Sequence, residues 1–271
     1  MKMNQREGFT LIELLVVIAI IAVLMGILMP ALSRARKQAR SAACMSQLKS
    51  WGLIWSMYFD DYNGRLPDVE KGRLITSGGW HRGFWVSLLR PGWGKKPQIL
   101  KCPGAKKVHP KRSSGQNQGD VNYTYDMPPF ADVQDGLEAS YAMNLFACSN
   151  TQSSLQGRKR EYHWQNQLKV KRAGEVPLFL DAMWRGGGPH WDSSNAIIPP
   201  RKNGQWTGAG YEMQHFAMDR HGGGVNGLFM DNHVSKVRVK ELWGLNWHKG
   251  YDRHRAYTQS DSWWGSWLSG M

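Results

Sequence analysis

The chain opens with a long run of apolar positions that contains one charge. Between Phe9 and Met29 there are 21 residues, and Glu13 is the only charged one. At a rise of about 1.5 Å per residue, a helix over this run is about 32 Å long, which matches a hydrocarbon core of about 30 Å. The pattern therefore predicts one membrane-spanning helix, and no other window of the sequence approaches this apolar length.

Beyond Pro30 the apolar positions become periodic. They recur mostly three or four residues apart, at Leu32, Ala35, Ala39, Ala43, Leu48, Trp51, Trp55, Tyr58 and Tyr62. This spacing is typical of an amphipathic helix, and Asn63-Gly64 predicts its end. We expect one helix of about 50 residues, bent at Pro30. Its lower half belongs in lipid or a filament core, and the aromatic stripe of its upper half is interpreted as core packing.

After residue 64 the pattern favours strands. A strand that ends in a loop is predicted at Glu175–Asp181. A tight hairpin is predicted around Asp231-Asn232-His233, with strands at Val225–Met230 and Val234–Val239. The segment is long enough for one compact domain. The predicted fold class is α+β, with an antiparallel sheet packed on the long N-terminal helix.

The N-terminal residues resemble a known processing signal. The short charged leader that ends in Gly8, followed by Phe9-Thr10-Leu11-Ile12-Glu13, is similar to the prepilin signal of type IV pilins and type II secretion pseudopilins. The resemblance implies that prepilin peptidase cuts between Gly8 and Phe9, methylates Phe9, and releases a subunit that assembles with copies of itself or other pilin-like subunits. Pro30 lies where many pilins carry a helix-bending proline. The implied segments are a leader at 1–8, a transmembrane or filament-core helix at 9–30, an amphipathic helix at 31–63 and a globular domain at 64–271.

The carboxylate of Glu13 requires a partner in this setting. An acidic side chain within a membrane span costs about 2.5 to 3.5 kcal/mol at the centre and less near an end. Cleavage after Gly8 creates a terminal ammonium group, and the resemblance implies that the Glu13 carboxylate pairs with the terminal amine of a neighbouring subunit. A secretory signal peptide or a lipoprotein signal fits less well, because Pro30 and a basic stretch follow the apolar run and Cys44 comes late.

The resemblance and the charge pattern disagree on topology. The prepilin signal implies a single-pass protein of the inner membrane, with a cytoplasmic N-terminus and a periplasmic domain that is extracted into a filament. Lys2 and Arg6 precede the span, whereas a larger basic group follows it, comprising Arg34, Arg36, Lys37 and Arg40. The positive-inside rule alone therefore favours the opposite orientation. The expected topology depends on the resemblance.

A second resemblance lies near the C-terminus. His221, nine further residues and Asp231 are similar to the His-x9-Asp-Gly signature of a large group of bacterial pilin-like proteins, with Asn232 in place of the usual glycine. Asparagine tolerates a positive φ, so it still suits a turn. We expect a structural role, in which Gly222-Gly-Gly224 turns the chain into the strand and Asp231 organises the hairpin.

The cysteines and potential metal ligands lead to separate expectations. A periplasmic domain with three cysteines can form one disulfide, and Cys102–Cys148 is the expected pair. Histidine and acidic residues of the types that bind zinc occur at His215, His221, Asp231 and His233, but no HExxH or paired-cysteine spacing accompanies them. Calcium could use the oxygens of Asp181, Asp192, Asp219 and Asp231, but none of these maps onto a known loop. No metal, cofactor or catalytic residue is predicted.

Charge and tryptophan content keep an alternative function open. The formal net charge is +14, and there are 14 tryptophans. Many tryptophans lie outside periodic apolar runs: Trp80, Trp85, Trp93, Trp184, Trp191, Trp206, Trp243, Trp247, Trp263, Trp264 and Trp267. Basic clusters occur at Lys106, Lys107, Lys111 and Arg112 and at Arg158, Lys159 and Arg160. Such a surface suits polysaccharide or nucleic acid, so a membrane-anchored binding domain is the alternative to a filament subunit.

Overall fold

The computed structural model describes residues 10–68, 84–94, 96–105, 118–127, 137–151, 153–155, 157–189, 201–204, 212–253 and 268. The chain divides into two compact units, Met1–Ala39 and Arg40–Met271. One helix, α1 (Leu11–Asp61), begins in the first unit and ends in the second. The predicted leader at 1–8 and the predicted methylation site at Phe9 lie outside the described residues.

In the first unit α1 is apolar and exposed. Its most apolar window is long enough to cross a membrane, and none of that window is buried within the protein. Side chains such as Leu11 and Ile27 are 79% and 69% exposed. This one N-terminal helix suggests a single-pass membrane anchor. The helix continues through Pro30 without interruption, as predicted, whereas the bend at Pro30 stays a prediction.

In the second unit α1 buries one stripe of side chains. The buried positions are Cys44, Leu48, Trp51, Gly52, Ile54, Trp55 and Phe59. The predicted burial of Leu48, Trp51 and Trp55 is confirmed, but that of Ala43 and Tyr62 is wrong, because both side chains are exposed. The helix ends as predicted, since Asn63 and Gly64 adopt positive φ values of 51° and 70°.

A five-stranded sheet forms the centre of this unit. Its strands are β3 (Tyr141–Asn144), β6 (Pro177–Asp181), β7 (Gly186–Gly187), β8 (Gly224–Phe229) and β9 (Val234–Arg238), in the order β7-β3-β6-β8-β9. The pairs β3–β6, β6–β8 and β8–β9 are antiparallel, and β3–β7 is parallel. The strands predicted before Asp181 and around Asp231 are confirmed, although the sheet is mixed rather than purely antiparallel.

Shorter elements surround the sheet. Two small antiparallel pairs are β1 (Tyr125–Asp126) with β2 (Glu138–Ala139) and β4 (Ser154–Leu155) with β5 (Arg158–Lys159). The short α-helices are α2 (Phe84–Leu88) and α3 (Arg90–Trp93). The 3₁₀ turns span Pro97–Leu100, Arg160–Tyr162, Gln167–Lys169, Ala173–Glu175, Glu212–His215 and Lys240–Gly244.

The sheet separates two hydrophobic cores. Alternate strand residues contribute to different clusters: Tyr141 and Phe179 join the core shared with α1, whereas Ala142 and Leu180 join the other. On the helix side the Trp51 ring lies 5.2 Å from the Phe179 ring, measured between centroids. Burial of aromatic rings on both faces of one sheet stabilises the domain and fixes the register of its strands.

Candidate functional sites

The described part of the N-terminal signal begins with a reciprocal helix cap. The Thr10 amide donates to Glu13 Oε2 at 2.9 Å, and the Thr10 hydroxyl donates to the same oxygen at 2.7 Å. In return the Glu13 amide donates to Thr10 Oγ1 at 3.3 Å. This is a capping box, in which two side chains satisfy amides that the first helical turn leaves without partners.

The capping box gives Glu13 a role beyond the expected pairing with a neighbouring subunit. Thr10-x-x-Glu13 matches the Ser/Thr-x-x-Glu pattern of a helix N-terminus, so the signal was present in the sequence. A carboxylate near a helix N-terminus also complements the helix dipole. Glu13 therefore stabilises its own helix, in addition to any partner it finds in a neighbouring subunit.

The hairpin between β8 and β9 docks its tip on α1. Asn232 has a φ of 71°, the left-handed conformation expected for this turn position. Lys49 Nζ donates to the Asn232 carbonyl at 2.9 Å, and Asn232 Nδ2 donates to Ser56 Oγ at 3.1 Å. A Cβ on Gly52 would lie 1.9 Å from Asn232 Oδ1, so the close approach requires glycine at this position of the helix.

Asp231 bonds within the same turn. Its Oδ1 accepts the backbone amide of His233 at 3.1 Å and lies 2.6 Å from His233 Nδ1. The His233 ring stacks on Phe229, with centroids 4.4 Å apart. The carboxylate, imidazole and phenyl groups therefore brace the turn that presents Asn232 to α1.

His221, the other member of the signature, lies in a separate buried cluster. We use "buried cluster" for Cys44, Cys102, Asp181 and His221, whose ligand-type atoms all lie within 4.8 Å of one another. Each comes from a different part of the fold: α1, the segment after Pro97–Leu100, the end of β6 and the loop before β8. No residue of the cluster is more than 7% exposed.

The atoms of the buried cluster converge on one another. His221 Nε2 lies 3.2 Å from Cys102 Sγ and 3.0 Å from Asp181 Oδ2. Cys44 Sγ lies 3.4 Å from the same Asp181 oxygen. Arg220 Nη1 donates to Asp181 Oδ1 at 3.3 Å, which gives the buried carboxylate a permanent cationic neighbour.

The surroundings shift the proton affinities of the cluster. Burial raises the pKa of Asp181, but the charges of His221 and Arg220 outweigh it and hold that pKa well below its usual range. Burial lowers the pKa of His221, but the Asp181 carboxylate outweighs this effect and raises it to about 9. Burial raises the pKa of Cys102, but its hydrogen bonds with Cys44 and His221 outweigh this effect and lower the pKa to about 7. Burial raises the pKa of Cys44 well above its ordinary value.

The geometry does not suit a nucleophilic triad. In such a triad the nucleophile and the orienting carboxylate bind opposite nitrogens of the imidazole. Here Cys102 and Asp181 both approach Nε2 of His221. The cluster is also fully enclosed, so a substrate would have no direct approach to the Cys102 sulfur.

The predicted Cys102–Cys148 disulfide is wrong in the structure. All three cysteines are free and buried. Cys148 Sγ lies 3.0 Å from His163 Nδ1 and donates to the Leu145 carbonyl at 3.1 Å. Cys102 instead faces His221, so the fold directs the two thiols to different histidines.

The other candidate metal ligands are dispersed. His215 Nδ1 lies 2.7 Å from the Gly186 carbonyl, and His233 bonds with Asp231. Asp219 Oδ1 accepts the Gly223 amide at 2.5 Å. Of the described aspartates in the predicted calcium set, Asp181 is the one that contacts His221. Asp192 lies outside the described residues.

The described tryptophans do not form the exposed surface that the alternative function would use. The described tryptophans of that set, Trp85, Trp93, Trp184, Trp243 and Trp247, are all buried in the two cores. Trp80, Trp191, Trp206, Trp263, Trp264 and Trp267 lie outside the described residues, as do Lys106, Lys107, Lys111 and Arg112. Arg158 is also buried, in an ion pair with Glu212, so only Lys159 and Arg160 of its cluster are exposed.

Comparison with protein families identifies the N-terminal signal. Residues 3–29 match the prokaryotic N-terminal methylation motif. Followed by the long apolar helix α1, this match fits a type IV pilin-like prepilin signal. The motif implies processing by prepilin peptidase and assembly with pilin-like subunits. No curated protein and no solved structure matches the chain.

Proposed function

We propose that the protein is a pilin-like subunit that prepilin peptidase processes and that then assembles into a pilus or pseudopilus. The observation that carries the proposal is the methylation motif over residues 3–29, which includes the beginning of the exposed apolar part of α1. An unpartnered apolar helix is stable in lipid or packed against similar helices. The protein acts through assembly in a type IV pilus or type II secretion system, and not through catalysis.

The proposed topology has the leader in the cytoplasm and the β-sheet domain in the periplasm. The motif supports this orientation, because the prepilin signal it resembles is cut at the cytoplasmic face of the inner membrane. A C-terminal alkaline phosphatase fusion tests it, since that enzyme is active only after export. An active fusion is expected, and an inactive but intact fusion would indicate the opposite orientation.

Intact mass spectrometry tests the processing step. Coexpression with a prepilin peptidase should remove residues 1–8 and add one methyl group to Phe9. Gly8→Val should block cleavage because it alters the residue at the scissile bond. Gly26→Val is the matched control, because a Cβ at Gly26 has no atom within 4 Å and the change is remote from the predicted cleavage site between Gly8 and Phe9. A mature N-terminus other than methylated Phe9 would contradict the proposal.

A further inference from the structure

We propose that the buried cluster binds one zinc ion, with Cys44, Cys102, Asp181 and His221 as its four ligands. Thiolate, imidazole and carboxylate groups are the protein ligands that zinc uses, and four protein ligands are typical of a structural site. Two sulfur ligands favour zinc over magnesium or calcium. The site is independent of the proposed filament function, since it lies entirely within the second unit.

The separations between the ligand atoms fit a tetrahedral site. Zinc bonds of about 2.0 to 2.3 Å place neighbouring ligands roughly 3.3 to 3.8 Å apart. The observed separations are 3.0 Å for His221–Asp181, 3.2 Å for Cys102–His221 and 3.4 Å for Cys44–Asp181. An outward shift of the ligand atoms by a few tenths of an ångström would bring these separations into the range of a zinc site.

The direction of the ligand atoms also favours a central cation. His221 Nε2 faces Cys102 Sγ and Asp181 Oδ2 at once. A single proton on Nε2 can make a straight hydrogen bond to only one of the two. A cation between the groups satisfies both, and it also accepts the lone pairs of Cys44.

Neighbouring groups hold the ligands in place. The Gly104 amide donates to Cys102 Sγ at 3.2 Å, and the Tyr141 hydroxyl lies 3.3 Å from Cys44 Sγ. The Asn226 amide donates to Asp181 Oδ2 at 2.9 Å. Hydrogen bonds of this kind orient metal ligands and are a regular part of zinc sites.

The charge of the occupied site is balanced. Two thiolates and the Asp181 carboxylate carry three negative charges, and neutral His221 adds none. Zinc supplies two positive charges, and Arg220 supplies the third, with its Nη1 3.3 Å from Asp181 Oδ1. A neutral group of charges is what a fully buried site requires, because an uncompensated charge in a protein interior is strongly destabilising.

Metal analysis of the full-length chain in detergent tests the proposal. Protein from zinc-supplemented cells should contain one zinc per chain by elemental mass spectrometry. Protein from cobalt-supplemented cells should show thiolate-to-cobalt charge-transfer absorption and the visible bands of tetrahedral Co(II). Metal-free protein with free thiols would overturn the proposal, and so would a Cys44–Cys102 disulfide found by alkylating the denatured chain.

Serine variants test the two proposed thiolate ligands. Cys102→Ser should lose the bound zinc, and Cys44→Ser should lose the zinc or, where cobalt is retained, about half of the charge-transfer intensity expected for two thiolates. Cys148→Ser is the matched control, because Cys148 is equally buried but bonds with His163. Zinc retained in Cys102→Ser, or lost in Cys148→Ser, would contradict the assignment. If Cys102→Ser does not fold, the cobalt spectrum of the parent protein still decides.

Discussion

Thr10 and Glu13 satisfy each other's backbone amides at the start of α1. The Glu13 carboxylate accepts the Thr10 amide at 2.9 Å, and Thr10 Oγ1 accepts the Glu13 amide at 3.3 Å. The structure thus shows one role of Glu13, the capping of its own helix, and the proposed assembly adds a second, in which its charge pairs with the terminal amine of another subunit.

Substitution at Glu13 separates these roles. Glu13→Gln keeps an acceptor for the Thr10 amide but removes the charge, whereas Glu13→Ala removes both. Thr10→Ala weakens the cap, at about 1 kcal/mol, and keeps the charge. All three variants should insert into the membrane, and both Glu13 variants should assemble poorly while Thr10→Ala assembles. The measurement is the fraction of mature protein in sheared, sedimented filaments. Normal assembly of Glu13→Gln would show that the charge is dispensable.

The hairpin tip gives a prediction about stability. Gly52→Ala should destabilise the domain by about 1 to 3 kcal/mol, because the new methyl group would lie 1.9 Å from Asn232 Oδ1 and 3.1 Å from Leu228 Cδ1. Thermal unfolding in detergent measures the effect. Gly26→Ala is the control on the same helix, since its Cβ meets no atom within 4 Å. Equal melting temperatures for both variants would contradict the docking of Asn232 on α1.

A double variant tests the same contact from the other side. Asn232→Gly removes the side chain that collides with a residue at position 52, and glycine accepts the φ of 71° without strain. Gly52→Ala combined with Asn232→Gly should therefore be more stable than the sum of the single effects predicts. Strict additivity of the two melting shifts would mean that the residues do not interact.

The buried ion pair of Arg158 and Glu212 should be sensitive to removal of one partner. Both side chains are at most 3% exposed. Arg158→Met leaves the Glu212 carboxylate without this partner, so we expect a loss of about 3 to 5 kcal/mol in the free energy of unfolding. Lys159→Met should change stability by less than about 1 kcal/mol, because its pair with Glu161 is exposed. Denaturant titration of both variants provides the comparison.

Two buried histidines predict loss of stability in mild acid. Burial lowers the pKa of His163 to about 4 and that of His248 to about 3, with Arg158 adding to both shifts. In the unfolded chain both imidazoles take up protons near pH 6.5, so protonation favours unfolding as the pH falls below that value. Each group should contribute a slope approaching about 1.4 kcal/mol per pH unit between pH 6.5 and 5.

His248→Gln should remove the contribution of that group to the acid slope, since glutamine cannot take up the proton. The measurement is the free energy of unfolding at several pH values across this range. An unchanged slope in the variant would mean that other groups dominate the acid sensitivity.

Local signals in the sequence were sufficient for several elements. The end of α1 at Asn63-Gly64, the strand that leads to Asp181 and the hairpin around Asn232 depend on residues close in sequence, and all three are confirmed. The Thr10–Glu13 cap also has a local signal, the Thr-x-x-Glu pattern. The predicted burial of Ala43 was wrong because periodicity does not show which of two adjacent small apolar residues, Ala43 or Cys44, faces the core.

The buried cluster could not be derived in this way. Cys44 and Asp181 are separated by 137 positions, and Cys102 and His221 by 119. Their meeting depends on how α1 packs on the sheet and on the order of β6 and β8, neither of which leaves a spacing pattern in the sequence. The expected Cys102–Cys148 bond failed for the same reason, because the cysteine count does not show which thiols share a layer of the core.

The stripe of α1 from Cys44 to Phe59 fixes where the domain can be released from its anchor. A protease that cut after the helix, near Arg65, would separate Trp51 of α1 from Phe179 and Trp85 of the domain. The released domain would then expose a large aromatic surface. Shedding of a folded domain therefore requires a cut at or before Arg40, where the second unit begins. A fragment designed for crystallisation must likewise begin at or before Arg40, so that it retains about twenty residues of α1.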